Sequence, residues 1–393
     1  MNKPPTSARL TILLGILIAL PALGTDLFVP AMPVLAQALA VEAGAAQFTL
    51  TTYFIGLAAG MLLWGPLSDR YGRRPVLCAG LATMLAACAA ATLVESVAAV
   101  ALARLAQGLA MASGAVMART IVRDLHAHEQ AARLLASMTI VFSIVPIAAP
   151  LTGAAIAGAA GWRAIFWTFA VVAAALLAAV LMGLRETAPA QRRSAHPADI
   201  ARTFRIILAD GRFLRPFSLV LCCHLGILAW VSNSAFVLVS GLGVSTIGYG
   251  LAFAGVMLGQ ISGAWACSRL VIAVGIPRLV RVGAAVMFAG GAAAAVLAWT
   301  GVAHWAAVVI PFLLFLFGSA LIVPNATAAA LSPFPGFAGT ASSLIGAVGF
   351  TVGAILSATL GLLFDGTARP MATVAAAAGL AAFGLNRWTR STP

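Results

Sequence analysis

Twelve long apolar stretches leave this chain almost no freedom of fold class; they lie at roughly 10–39, 47–67, 76–94, 97–118, 134–158, 164–184, 214–240, 246–268, 279–300, 302–330, 339–364 and 370–386. A bilayer crossing takes about 20 apolar residues in helical form, because lipid offers no partner to an open backbone. Each stretch is near or above that length, and the connections between them leave no room for a separate soluble domain. Only 8% of residues are charged, where soluble domains carry about a quarter. The expected fold is an all-α integral membrane protein of twelve transmembrane helices.

Basic residues orient such a chain, since they collect on the cytoplasmic side. Arg70, Arg73 and Arg74, then Arg119, Arg123 and Arg133, then Arg185 through Arg215, then Arg269 and Arg278 follow spans 2, 4, 6 and 8. Lys3 and Arg9 precede span 1, and Arg387 and Arg390 follow span 12. The opposite connections hold only Arg163 and Arg369 among Glu42, Glu95 and Asp365. Both termini are therefore expected in the cytoplasm. The net charge of +13 is accounted for by this asymmetry and points to no nucleic acid. The apolar pattern continues past Ala22-Leu23-Gly24, so the first span is read as a retained helix and not a cleaved signal. Five cysteines, Cys78, Cys88, Cys222, Cys223 and Cys267, lie in or beside apolar runs with no C-x-x-C pair. They read as small buried hydrophobes; Cys222-Cys223-His224 lacks the further ligands a metal needs.

The longest connection, Arg185 to Arg215, divides the spans six and six. The expected units are 1–184, a cytoplasmic linker 185–215, and 216–393. In the linker Ile200, Phe204, Ile207 and Leu208 share one helical face opposite Arg202 and Arg205, predicting an amphipathic helix after Pro197. A loop, GPLSDRYGRRPV (Gly65 to Val76), joins spans 2 and 3. Six spans later Gly275 to Gly283 repeats the glycine spacing of Gly72 to Gly80. Parallel repeats of this kind build transporters whose substrate site lies between the halves near the midplane.

On these residues the chain resembles the major facilitator superfamily over essentially its whole length. GPLSDRYGRRPV is similar to that superfamily's loop 2–3 motif, with Gly65, Asp69, Arg70, Gly72, Arg73 and Arg74 at motif positions. Arg104, Gln107 and Gly108 resemble its span 4 motif. Pro150 and Gly153 resemble the span 5 antiporter motif, with Ala149 and Ala154 where that motif has glycine. GTDLFVPAMP (Gly24 to Pro33) and the run Pro324 to Gly346 resemble one subgroup, the Bcr/CflA drug-resistance exporters. The resemblance implies proton-driven export of drugs such as chloramphenicol, florfenicol or bicyclomycin. It also implies that Asp69 caps a helix of the other half near Gly339 and Thr340, while Arg73 pairs with Asp124, as an inner gate.

Independently of the family, Asp26 and Arg104 are the formal charges well inside the spans. At 1.5 Å per residue they lie about 15 Å and about 10 Å from the outer ends of spans 1 and 4. Each is costly in lipid, so they are expected to face one shared cavity and to serve proton coupling; a static ion pair is the competing reading. Pro21, Pro30, Pro33 and Gly24 would loosen the helix that carries Asp26. Tyr53, Phe54, Trp230, Asn233, Phe236 and Asn325 are the candidate substrate residues. His224 and Gln260 fit hydrogen bonds between helices.

Other classes of function fit less well. No H-E-x-x-H, G-x-S-x-G or G-x-x-x-x-G-K-[ST] pattern is present, so neither an enzyme, a cofactor nor ATP drive is expected. His126 and His128 point to different sides and read as solvated. A channel would want repeated pore rings. The expectation is a monomeric secondary transporter of the bacterial inner membrane. Its cargo would be small neutral or zwitterionic drugs, or alternatively a small metabolite such as a sugar or amino acid.

Overall fold

The computed structural model describes residues 8–125, 128–188, 197–334 and 338–388. Lys3, His126, Arg390 and linker residues 189–196 lie outside them, as do the side chains of His128, Arg133, Ile200 and Arg387. The described residues are helical with no strand. The first crossing is composite: α1 (Ala8–Asp26), a 3-10 turn (Val29–Ala31) and α2 (Met32–Ala38). Crossings two to six are α3 (Ala43–Tyr71), α4 (Arg73–Leu93), α5 (Val97–Leu125), α6 (His128–Ala160) and α7 (Trp162–Gly183). After α8 (Pro197–Ala209), the seventh is α9 (Gly211–Ala235), which ends in a π-helical stretch (Phe236–Gly241). The last five are α10 (Thr246–Val274), α11 (Ile276–Trp299), α12 (Trp305–Leu331), α13 (Ala338–Leu362) and α14 (Arg369–Trp388). Large apolar side chains such as Leu93, Met182, Ile272 and Leu362 remain exposed on the outside, as a lipid-facing surface requires.

The same packing scheme occurs twice. In the first six crossings α3 and α4 pack on α5, α4 on α7, and α1 on α5 and α6. In the last six α10 and α11 pack on α12, α11 on α14, and α9 on α12 and α13. Each contact reappears six crossings later. Between the two sets, α3 lies against α13 and α6 against α10, an arrangement symmetric under the same exchange.

The glycine echo has a structural counterpart. Gly72 (φ 100°) and Gly275 (φ 82°) are each the single residue between two helices, in a region that side chains with a Cβ avoid. Gly80 packs on Ser113 of α5, and Gly283 on the Gly318 carbonyl of α12. The expectation of a loop at Gly65–Val76 is corrected: α3 continues through Pro66 to Tyr71, and α4 begins at Arg73. The two stray arginines are explained too. Arg163 donates to the carbonyls of Thr92 and Val94 at the end of α4; Arg369 lies over Trp299 at the end of α11. In α8, Ile207 is fully buried with Phe213, Phe217 and Leu344, so the linker helix docks on α9 and α13. Leu208, expected on that apolar face, is exposed.

Candidate functional site

The end of the bundle that carries the α3–α4 and α10–α11 turns is called here the basic end. At the far end the two halves are closed. The Gln47 amide of α3 donates to the Ser232 carbonyl of α9 at 2.9 Å. Gly44 meets the Gly361 carbonyl so closely that a Cβ there would stand 2.7 Å from it. From the middle toward the basic end the halves separate. A cavity of about 380 Å³ lies between α1, α3, α5, α9 and α13. A second, of about 440 Å³, adjoins it through Met61 and reaches the basic end. The first is in the size range of small-molecule sites.

Asp26 lines this cavity and is 8% exposed. Its position follows from backbone chemistry. Pro30 has no N–H, so the Asp26 carbonyl has no helical donor and α1 stops there. The chain tightens into a 3-10 turn, where the Met32 N–H takes the Val29 carbonyl that Pro33 cannot. One turn earlier the Thr25 hydroxyl donates to the Pro21 carbonyl at 3.0 Å, and the Tyr53 hydroxyl to the same oxygen at 2.8 Å. The carboxylate therefore sits at the break of a helix held by side-chain bonds, facing the opening between the halves.

Arg104 does not share that cavity, which corrects the expected juxtaposition. Its guanidinium is fully buried between two rings, 4.2 Å from the Phe28 centroid and 3.9 Å from that of Tyr53. It donates to the Gly24 carbonyl at 3.0 Å and to the Gln107 side-chain oxygen; no ion pair with Asp26 occurs. The reason is helical phase: Gly24 faces α5, and Asp26, two residues on, is turned about 200° away. Nε and Nη2 of Arg104 have no hydrogen-bond partner, and the aromatic faces supply the compensating attraction. Arg104 thus holds the backbone two residues before Asp26 and is linked to the carboxylate through the chain.

Of the candidate substrate residues, Phe54 lines the cavity and stacks on Phe350 of α13, with centroids 6.1 Å apart. The others are packed elsewhere. Tyr53 lies under Arg104; Trp230 is buried against Phe253 and Phe312; Phe236 packs on Phe364. Asn233 is fully buried with neither amide atom bonded. Asn325 donates to the Leu321 carbonyl at 2.9 Å and to the Cys267 sulfur. On α9 the cavity stripe is His224, Leu228 and Val231, and Trp230 and Asn233 fall outside that phase. Sequence reasoning missed Thr25, Met61, Arg119 and Phe350, and it assigned His224 to bonds between helices. The His224 ring instead meets the Val220 carbonyl of its own helix at 2.9 Å and lines the cavity. A stripe at i, i+4, i+7 from His224 was the available signal.

The span 4 and 5 motifs are packing devices. A Cβ on Gly108 would overlap the Tyr53 carbonyl, and one on Gly153 the Leu27 carbonyl beside Asp26. The Gln107 amide donates to Cys88 at 3.2 Å. At Pro150 and Ala154, α6 meets Gly250 of α10, so a glycine on the partner helix accommodates the Ala154 methyl. Among the described residues no cluster of three metal-ligating side chains exists.

At the basic end Arg73 pairs with Asp124 at 2.9 Å, and also with Asp69 and Ser68. Asp69 and Thr340, the latter at the α13 start that the resemblance assigned to Asp69, both line the second cavity. Gly65 has open space around it, Arg70 lies over Tyr71, and Arg74 donates to the Leu181 carbonyl at 2.7 Å. Glu186, which sequence reasoning passed over, holds this corner: its carboxylate accepts the backbone N–H of Arg73 at 2.9 Å and of Arg74 at 3.2 Å. It is the carboxylate at the start of α4, where helix dipole and free N–H groups favour an anion. Burial alone would raise the Glu186 carboxyl, but N–H groups of Ala188, Arg73, Arg74 and Thr187 outweigh it and hold it below its ordinary 4.5. A depressed folded value means that this stabilisation is present above the unfolded value and is lost as pH falls through the folded one. Thermal unfolding of wild type and Glu186→Gln in detergent should therefore differ at neutral pH, and the difference should shrink as pH is taken below the ordinary 4.5 and on through the depressed folded value. A constant difference across that range would remove Glu186 as the anchor.

A family model described as Major Facilitator Superfamily matches residues 14–358. A bicyclomycin resistance protein homolog of Haemophilus influenzae is 30% identical over 372 residues, covering 94% of this chain and 93% of that protein. The multidrug resistance protein D of Escherichia coli is 27% identical, covering 91% and 90%. A chloramphenicol resistance protein of Pseudomonas aeruginosa is 30% identical, covering 88% and 80%. Among solved structures, the xylose transporter XylE of E. coli in a partially occluded inward-open conformation superposes with a TM-score of 0.73 at 15% identity, covering 98% of each chain. A bacterial homolog of the lysosomal transporter Spinster does so at 0.71 and 14%, covering 98% and 95%.

Proposed function

The chain belongs to the Major Facilitator Superfamily, and we propose that it is a secondary transporter that exports small, mostly neutral or zwitterionic drugs in exchange for protons. The observation that carries the reading is the cavity: Asp26 is set at a helix break among Phe54, Phe350, Met61 and Leu228. Apolar and aromatic walls suit partly apolar cargo, and a carboxylate there binds or releases a proton as water, cations and cargo change around it. The drug-resistance names of the relatives support the choice of cargo.

In this reading residues 1–184 and 216–393 rock against each other about the cavity, and 185–215 tethers them. The basic end faces the cytoplasm, with both termini there, so the conformation described is inward-open in the bacterial inner membrane. Asp69 and Thr340, on opposite halves and both lining the second cavity, are the two sides of the gate. A monomer suffices, because the cavity is complete within one chain. Catalysis and cofactors have no part in it.

The test is proton release when chloramphenicol or florfenicol is added to purified protein in weakly buffered detergent. Release on binding is expected. Silence with no bound drug would put a small metabolite, such as a sugar or amino acid, in the place of the drug.

A further inference from the structure

We propose that Arg119 forms an anion subsite in the cargo cavity, so that the preferred cargo is dipolar: a cationic or donor end at Asp26 and an anionic or strongly electron-rich end at Arg119. The proposal rests on the cavity being the transport site. Arg119 lies on α5 and lines the same cavity as Asp26. Among the described residues no carboxylate stands within ion-pair reach of it. The charge that acts on it is that of Arg123, a like charge one turn away.

A guanidinium on the wall of a membrane cavity is costly without an anion, and the chain has almost none to offer. Beyond Arg215 the only carboxylate residue is Asp365, which is in the far-end connection bonded to Thr367. No conformation of the second half can therefore bring a carboxylate of its own spans to Arg119. The side chains of Glu129 and Asp199 lie outside the described residues. Among the described carboxylates up to Arg215, Glu42 and Glu95 belong to the far-end connections, and Glu186 accepts N–H groups of Arg73 and Arg74. Asp210 pairs with Arg212, and Asp69 and Asp124 are both engaged by Arg73. That leaves Asp26 within the cavity, and it is too far along the bundle. Gly24 of α1 opposes Met111 of α5, and Leu17 opposes Gly114. In antiparallel register those two pairs put Asp26 level with positions 105–109, ten to fourteen residues before Arg119, or about 15–21 Å along the axis. The two side chains reaching inward shorten this gap to the length of a drug-sized molecule, whose apolar middle would lie on Phe54, Phe350 and Met61. A surface role for Arg119, marking orientation only, would not need the side chain to line the cavity.

The experiment compares the zwitterionic quinolone norfloxacin with its methyl ester, which keeps the cationic amine and lacks the carboxylate. Binding to the full-length protein is measured in phosphatidylcholine nanodiscs, with florfenicol as a neutral reference on wild type. Wild type should prefer the acid by roughly tenfold, the worth of one charge-assisted hydrogen bond. Arg119→Gln should bring the ratio near one, and Arg119→Lys should restore part of it; thermal unfolding of each variant confirms folding. A site that binds florfenicol but treats acid and ester alike, or an Arg119→Gln protein that keeps the wild-type ratio, overturns the anion subsite and leaves drug export standing. If wild type binds none of the three compounds, the export reading falls and the subsite with it. Loss of the preference in wild type on adding phosphatidylglycerol would assign Arg119 to a lipid head group and likewise overturn the proposal.

Discussion

Asp26→Asn is expected to abolish drug-induced proton release, bringing it to the level of empty micelles, and to end uphill drug transport in proteoliposomes. The substitution keeps the shape of the side chain, so the helix break at Pro30 and the bonds of Thr25 and Tyr53 to Pro21 remain. What it removes is the one carboxylate that lines the central cavity among the described residues. The other titratable groups on that wall are His224 and Arg119; an arginine keeps its proton throughout, so His224 is the rival. Measuring His224→Gln beside Asp26→Asn separates the two. Release that persists in Asp26→Asn and vanishes in His224→Gln would move the coupling role to the imidazole. Release in both would show the cavity groups to be bystanders.

Gly108→Ala should destabilise the folded protein by about 1–3 kcal/mol, the usual cost of forcing a methyl into a packed interior. It should also lower transport by more than the stability loss explains. At this crossing α3 and α5 interlock through two glycines: a Cβ on Gly108 would overlap the Tyr53 carbonyl, and one on Gly56 the Leu105 carbonyl. Neither clash can be relieved by rotating a side chain, because both oxygens are backbone. Shifting Tyr53 would disturb its ring under Arg104 and its bond to Pro21, and through them the turn that carries Asp26. Gly158→Ala is the control. Gly158 lies in the last turn of α6, two residues before its end, with open space around it, so the change should be near neutral or stabilise by at most about 0.5 kcal/mol through helix propensity. Thermal unfolding in detergent measures both. Equal effects would mean that the glycines matter for backbone flexibility and not for close approach.

The cavity was legible in part. Asp26 stood out because an intramembrane carboxylate needs a reason, and Phe54 followed from its place in span 2. Arg104 was found for the same cost argument but given the wrong surroundings. Depth along a helix follows from counting residues, whereas the direction of a side chain depends on which neighbour claims which face. Gly24 and Asp26, two apart, point to different neighbours, and only the packing of α5 on Gly24 shows which. Trp230 and Asn233 were misplaced for the same reason: the phase of α9 that faces the cavity is fixed by its fit to α12, α13 and α14. Glu186 was missed because its partners, the N–H groups of Arg73 and Arg74, are more than a hundred residues away.

The crossings, the six-and-six division, the amphipathic linker helix and the double occurrence of the glycine turn could all be read from the residues alone. Each depends on local composition and spacing, which lipid enforces segment by segment. Tertiary structure decided what lies between the segments. It closed the far end through Gln47 and Gly44, set a cavity at the basic end lined by Asp69 and Thr340, and turned Asp26 and Arg119 into one space while enclosing Arg104 between rings. Those outcomes depend on the rotation of each helix about its axis, which is set by packing against neighbours distant in sequence, where small residues let backbones approach.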